Sequence, residues 1–297
     1  MNKLFVSCVG VWLLSCFVWQ VQASDLDEIK ARGVLRHLGI PYANFVTGAG
    51  DGLDVEIIKR FAQHLGVKYQ YVATDWKRGL GDLTGKKIEP QGNKLKVVGE
   101  VPMRGDLLAN GLTVLASRKA LIDYSVPTFP SGVWLVARAE APMKPIPGSG
   151  NLNDDIRQTK AKLTGTSVLV MEATCLDPNL YNLTGKGFDL RYYTRSTNLN
   201  EMVPAILNRD AETTLLDVPD ALIALEKWPG SIKVIGPISD KQQMGVGFRK
   251  TSPKLRAEFD QFFTRMRKDG TYNALVQKYY PSALSYFPEF FQVAAKP

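Results

Sequence analysis

Asp106-Leu107-Leu108-Ala109-Asn110-Gly111-Leu112-Thr113, then Arg118, then Asp123-Tyr124-Ser125: the reading of this 297-residue chain turns on this stretch. Residues 107–115 are apolar enough for a buried strand, and Ser117 is placed to N-cap a short helix ending near residue 122. Arg118 lies five residues after Thr113. A planar guanidinium forks onto a carboxylate with two charge-assisted hydrogen bonds, a geometry lysine cannot copy. Beside Lys119 it also reads as an ordinary surface arginine, and composition alone leaves both readings open.

Upstream, residues 34–38 form a short apolar strand and Asp51-Gly52 a turn. Apolar residues at 53, 55, 57, 58, 61, 62 and 65 have helical spacing, and Gly66 ends that helix. Residues 67–72 alternate as a strand does. Positions 86–96 are polar, basic and broken by Pro90 and Gly92, so they read as a solvated loop inserted in the first unit. Downstream, 132–137 is a buried-strand pattern, and the Pro/Gly-rich stretch 141–150 is a candidate linker. Strands near 167–171, 189–193 and 213–216 alternate with helices near 175–183, 199–208 and 218–225. Such alternation predicts α/β architecture with a mostly parallel sheet. A strand at 244–249 and two helices on either side of Gly270 close the chain.

Taken in order, these pieces resemble the family 3 extracellular solute-binding proteins, the periplasmic receptors of amino-acid ABC importers. Gly52-Leu53-Asp54-Val55-Glu56 is similar to the start of that family's first helix, and the 106–125 stretch to its most diagnostic segment. Gly245-Val246-Gly247-Phe248-Arg249-Lys250 and Lys268-Asp269-Gly270-Thr271-Tyr272 resemble its C-terminal signature. The resemblance implies an α/β, two-lobed type II periplasmic-binding-protein fold. Its first lobe is discontinuous, 24–135 plus 247–297, with the second lobe at 136–246. Two hinge strands join the lobes, with 132–137 crossing out and 244–249 crossing back. A ligand would sit in the cleft and be trapped by hinge closure.

A free amino acid carries a carboxylate and an ammonium, and a buried unpaired charge costs several kcal/mol, so each needs a fixed partner. The resemblance assigns the carboxylate to Arg118, with Thr113 and the backbone of Gly111 beside it. Leu115 stands where the family often has a further hydroxyl. Ala173-Thr174 matches a Gly-Thr that opens a helix, whose free N–H groups suit an anion; Thr174 also reads as a simple N-cap. The ammonium falls to Asp217, which ends the apolar run Thr213-Thr214-Leu215-Leu216 and which could instead cap the next helix. Tyr42 and Trp76 match positions that sandwich a ligand side chain, with core packing as the plainer reading. Phe45 is assigned to the core. Gly39 stands where cation-binding members carry an acid, which weakens lysine and arginine as ligands.

The N-terminus has Lys3, a short apolar run and Val21-Gln22-Ala23, the pattern of a cleavable signal peptide over 1–23. That predicts a periplasmic protein. A lipoprotein form would need Cys16, against which the leucine two residues before it and the apolar residues after it argue. Cleavage would remove Cys8 and Cys16 and leave Cys175 alone, with no partner for an intramolecular disulfide. Two histidines, His37 and His64, and one cysteine are too few for a His/Cys metal site, and no cofactor or catalytic residue is expected. Lys plus Arg number 37 against 29 acids, a net charge of +8 that falls to +7 without Lys3. The cations are scattered, with no basic helix interleaved with aromatics, so nucleic acid is not the expected partner. The expected partners are a small amino acid or related carboxylate and an inner-membrane ABC permease, met by a monomer. The alternative is a non-transport derivative of the fold. That would be a dehydratase-like enzyme using Glu172 as general acid, or an accessory module of a periplasmic quinoprotein dehydrogenase. A murein transglycosylase is disfavoured, since 17 residues follow Tyr280.

Overall fold

The computed structural model describes residues 25–92 and 94–292. The signal-peptide expectation over 1–23 lies outside them. In chain order the strands are β1 (Val34–Gly39), β2 (Lys68–Ala73), β3 (Lys86–Gln91), β4 (Lys94–Glu100), β5 (Leu107–Leu108), β6 (Ile122–Tyr124) and β7 (Phe129–Ser131). There follow β8 (Val133–Arg138), β9 (Ser167–Val170), β10 (Asp189–Tyr192), β11 (Thr213–Asp217), β12 (Ile232–Pro237), β13 (Gln242–Met244) and β14 (Gly247–Arg249). The helices are α1 (Asp25–Arg32), α2 (Leu53–His64), α3 (Gly79–Thr84), α4 (Ala116–Lys119), α5 (Leu152–Ala161), α6 (Met202–Leu207) and α7 (Val218–Lys227). A C-terminal run, α8 (Pro253–Lys268), α9 (Thr271–Tyr279), α10 (Pro281–Tyr286) and α11 (Pro288–Phe291), completes them.

Two five-stranded sheets define two lobes. The first has the order β2-β1-β5-β14-β6 and the second β10-β9-β11-β8-β12. Because β14 follows every strand of the second sheet in sequence but belongs to the first, the first lobe is discontinuous. Each sheet is mixed rather than mostly parallel: β1, β2 and β5 run parallel, while β14 is antiparallel to both its neighbours. In the second sheet β8 is antiparallel to β11 and β12. The reversed strands are the ones that enter each sheet directly from the crossing between lobes.

The crossing itself is shifted from its expected position. Val133–Arg138 lies wholly within the second sheet, and the connecting ribbon is the antiparallel pair β7–β13, Gln242 to Ser131 and Met244 to Phe129. The Pro/Gly stretch at 141–150 is not a linker between lobes. It runs from β8 to α5 and is tied to β12, where Ile146 N–H donates to the Ile235 carbonyl at 2.9 Å.

Helix α2 forms where the periodicity places it. Leu53, Val55, Ile57, Ile58, Phe61 and Ala62 are buried on it, and Gly66 turns the chain out at φ 72°. Its buried face joins an aromatic core in which Phe45, Phe129 and Tyr280 have ring centroids 4.7–5.2 Å apart. Burying each such side chain is worth roughly 1.5–3 kcal/mol. Asp106 is the polar fastener of the first sheet. It is 1% exposed and accepts from Arg32 Nη2 at 2.6 Å and from the Arg36 backbone N–H and Nη2, both at 2.8 Å. It thereby ties the entry of β5 to α1 and β1.

Residues 86–96 form no loop. With 97–100 they make the antiparallel hairpin β3–β4, Pro90 facing Leu95 and Gln91 facing Lys94. Charge obscured this in the sequence: Ile88 and Leu95 are the half-buried residues of two otherwise exposed strands.

Candidate functional site

The site is assembled from strand ends. Loops leaving β1, β2 and β5 supply Tyr42, Trp76 and Thr113, and α4 supplies Arg118. From the second lobe come Thr174, after β9, and Asp217, the last residue of β11. Carboxyl ends of parallel strands are where open α/β sheets gather ligand contacts.

Arg118 is 5% exposed. Its Nη1 donates to the Thr113 carbonyl at 3.0 Å, and its guanidinium carbon lies 5.5 Å from the Trp76 ring centroid. The same carbonyl accepts from Tyr124 Oη at 3.0 Å. Among the described residues Arg118 belongs to no ion pair. Helix α4 is shorter than expected: it spans Ala116–Lys119 with Leu115 at its N-cap, and Ser117 sits inside it. The arginine is therefore a buried cation held in place by a carbonyl and an aromatic face, not a surface residue.

Asp217 is fully buried. Its Oδ2 accepts from Tyr42 Oη at 3.0 Å and from Thr113 Oγ1 at 3.4 Å, while Oδ1 has no hydrogen-bond partner. Although Asp217 occupies the N-cap position of α7, its side chain makes no cap bond. Burial raises its pKa to about 6, opposed by the Cys175 thiol, the Tyr42 hydroxyl and the Arg118 charge. Burial, reinforced by the Asp217 charge, in turn pushes the free Cys175 thiol well above its usual value. Cys175 has no sequence signal beyond its count, and its place beside Asp217 was not foreseen.

Tyr42 is fully buried, stacked on Phe45 at 6.2 Å and edge-on to Trp76 at 5.7 Å. Its bond to Asp217 links the lobes, as does Ala43 N–H to Asn200 Oδ1 at 2.7 Å. Trp76 is 8% exposed and its Nε1 has no partner among the described residues. Thr174 opens no α-helix. Its hydroxyl donates to the Met171 carbonyl at 2.8 Å and accepts from Leu176 N–H at 3.0 Å, closing a turn before a 3₁₀ segment at Pro178–Tyr181. The helix-terminus argument for an anion there therefore fails. Gly111 has a structural duty: at φ 65° its N–H donates to Asp54 Oδ2 at 2.7 Å, and an added Cβ would lie 2.4 Å from the Phe45 ring.

A cavity of about 110 Å³ lies between the lobes, with Trp76, Arg118 and Thr174 on its wall. Tyr42, Gly111, Thr113 and Asp217 stand outside that lining; the first, third and fourth bond to one another as a closed cluster behind it. Leu112, Leu115 and Leu180 line the cavity, as does the β3–β4 hairpin. Glu172, the residue an enzymatic reading would need as a cleft acid, is exposed.

Two sheet-bearing lobes joined by a short ribbon, with a buried arginine on the cavity between them, are the architecture of a solute-binding receptor of the type II periplasmic fold. Residues 103–282 match the bacterial extracellular solute-binding proteins, family 3, and the chain belongs to that family. It is 26% identical over 262 residues to the L-cystine-binding protein TcyJ of Escherichia coli strain K12, covering 86% of this chain and 85% of that one. It is 25% identical over 230 residues to the membrane-bound lytic murein transglycosylase F of Desulfosudis oleivorans, covering 77% of this chain but only 44% of that protein. A mutant of the ArgBP of T. maritima superposes with a TM-score of 0.68 at 22% identity, over 86% of this chain and 99% of that one. The chain is thus a substrate-binding protein of this family, and it is also 25% identical over 231 residues to the octopine-binding periplasmic protein of Rhizobium meliloti, covering 71% of this chain and 70% of that one.

Proposed function

We propose that this protein captures a small amino-acid-like solute in the periplasm, between the lobe built on β2-β1-β5-β14-β6 and the lobe built on β10-β9-β11-β8-β12, for an ABC-type importer. The observation that carries the reading is Arg118: a guanidinium 5% exposed, on the cavity wall, in no ion pair among the described residues. Desolvating such a charge costs several kcal/mol, and a ligand carboxylate in the cavity would offset that cost. In this reading Arg118 receives the carboxylate, Thr174 shares the cavity wall with its hydroxyl engaged in its own turn, and Thr113 holds the arginine through its carbonyl. Asp217, with its unpartnered Oδ1, receives the ammonium once Tyr42 yields, and Trp76 walls the side chain. Gly111 supports the site by backing Asp54. The family resemblance implies delivery to an inner-membrane ABC permease by a monomer released from its signal peptide. Titration calorimetry against the protein amino acids tests this, with at least one expected to bind at micromolar Kd or better. No binding by any amino acid or related carboxylate contradicts it.

A further inference from the structure

Every residue of β3 except Ile88 and every residue of β4 except Leu95 is exposed. Both exceptions line the Arg118 cavity, joined there by Pro90 from the turn side of the hairpin. Apolar side chains are half-buried here because they cover the cavity, not because the hairpin has a core of its own. Leu80, Leu112, Leu115 and Leu180 share the lining with them.

Carboxylates on this lining are two. Asp177 is spent: it accepts from the N–H groups of Ala173 and Asn179 at 3.0 Å and from Asn179 Nδ2 at 2.9 Å. Glu89 is exposed and lies 3.7 Å from Lys87. Lys77 and Lys94 add positive charge at exposed positions of the lining. No acid can be recruited at position 39 either. Tyr71 donates to the Gly39 carbonyl at 3.1 Å, and its ring carbon would sit 2.3 Å from a Cβ there.

We infer that the hairpin Lys86–Glu100 is the specificity wall of the site, with Ile88 and Leu95 as specificity-determining residues. It selects an amino acid or related carboxylate whose side chain is apolar and uncharged. The inference rests on the reading of Arg118 as the carboxylate contact. A distal ammonium would be buried among aliphatic side chains with lysines nearby, one lining acid (Asp177) already engaged and the other (Glu89) out in solvent beside Lys87, and an unpaired buried charge is heavily disfavoured.

Norleucine and lysine are the discriminating pair, since they share an aliphatic stem and differ in the charged end. By calorimetry, wild type is expected to bind norleucine at least about tenfold more tightly than lysine. Leu95→Asp and Ile88→Asp each weaken norleucine about tenfold or more and narrow the preference. Lys96→Ala, on the hairpin but off the cavity, changes neither. Circular dichroism of each variant confirms that the fold is intact, which the solvent exposure of both strands favours. Equal or tighter binding of lysine, or unchanged norleucine affinity in both Asp variants, overturns the inference even where binding still requires Arg118. Binding that is lost to no substitution of Arg118, or absent for every carboxylate tried, sinks the underlying reading as well.

Discussion

At Arg118 and Asp217 two opposite charges sit in one buried site without forming a direct ion pair. Arg118 is held by the Thr113 carbonyl, and Asp217 is held by the Thr113 and Tyr42 hydroxyls, so Thr113 serves both. A zwitterion inserted between them would satisfy each. The two ends differ in their response to pH. Arginine stays charged throughout, whereas the Asp217 carboxyl is held at about 6 by burial. An ammonium needs the ionised carboxylate, so affinity for an amino acid is expected to be full above that value. It should fall by up to about tenfold per pH unit below it. The matching deaminated carboxylate should show no such loss. Calorimetry of the pair between pH 5 and 8 checks this; identical pH profiles would remove Asp217 from the ammonium site.

The elements were legible to different degrees, and the differences have physical causes. Helix α2 was legible because its apolar spacing and Gly66 agree with the buried face it forms. Strand β11 and its terminal acid were legible because five buried residues in a row leave little else for Asp217 to be. The hairpin β3–β4 was not, since six charged residues outnumber the inward-facing Ile88 and Leu95. The turn at Thr174 was misread as a helix start because Pro178 and the αL residue Asn182 confine the following segment to a single 3₁₀ turn. Asp106 belonged to the diagnostic stretch, yet its duty appears only in three dimensions, where it joins β5 to α1 and β1. Asp106→Ala would orphan the Arg36 N–H and leave two guanidinium groups without their buried partner. A loss of about 2–4 kcal/mol in urea unfolding is expected, with ligand affinity unchanged in the folded fraction. A loss below about 0.5 kcal/mol would show that the cluster is only a surface ion pair.

For the whole molecule, the central feature is that the proposed site draws on both lobes. The first brings the cation, the aromatic wall and the hairpin; the second brings Thr174 and Asp217. The thin β7–β13 ribbon joins them, and under the proposed function ligand contacts with both lobes would favour a closed arrangement by their own binding free energy. The fold could be read from the chain because motif order and strand pattern fix it, whereas four of the seven residues proposed as contacts, Tyr42, Gly111, Thr113 and Asp217, lie outside the cavity lining. The shape of the cavity could not be read, because it depends on how the two lobes and the hairpin meet. The most direct test of the account pairs the tightest-binding amino acid with its carboxamide, in wild type and in Arg118→Ala, by titration calorimetry. Wild type is expected to bind the acid about a hundredfold more tightly than the amide, and Arg118→Ala to bind both weakly and alike. Equal affinity for acid and amide in wild type, or full affinity for the acid in Arg118→Ala, would contradict it.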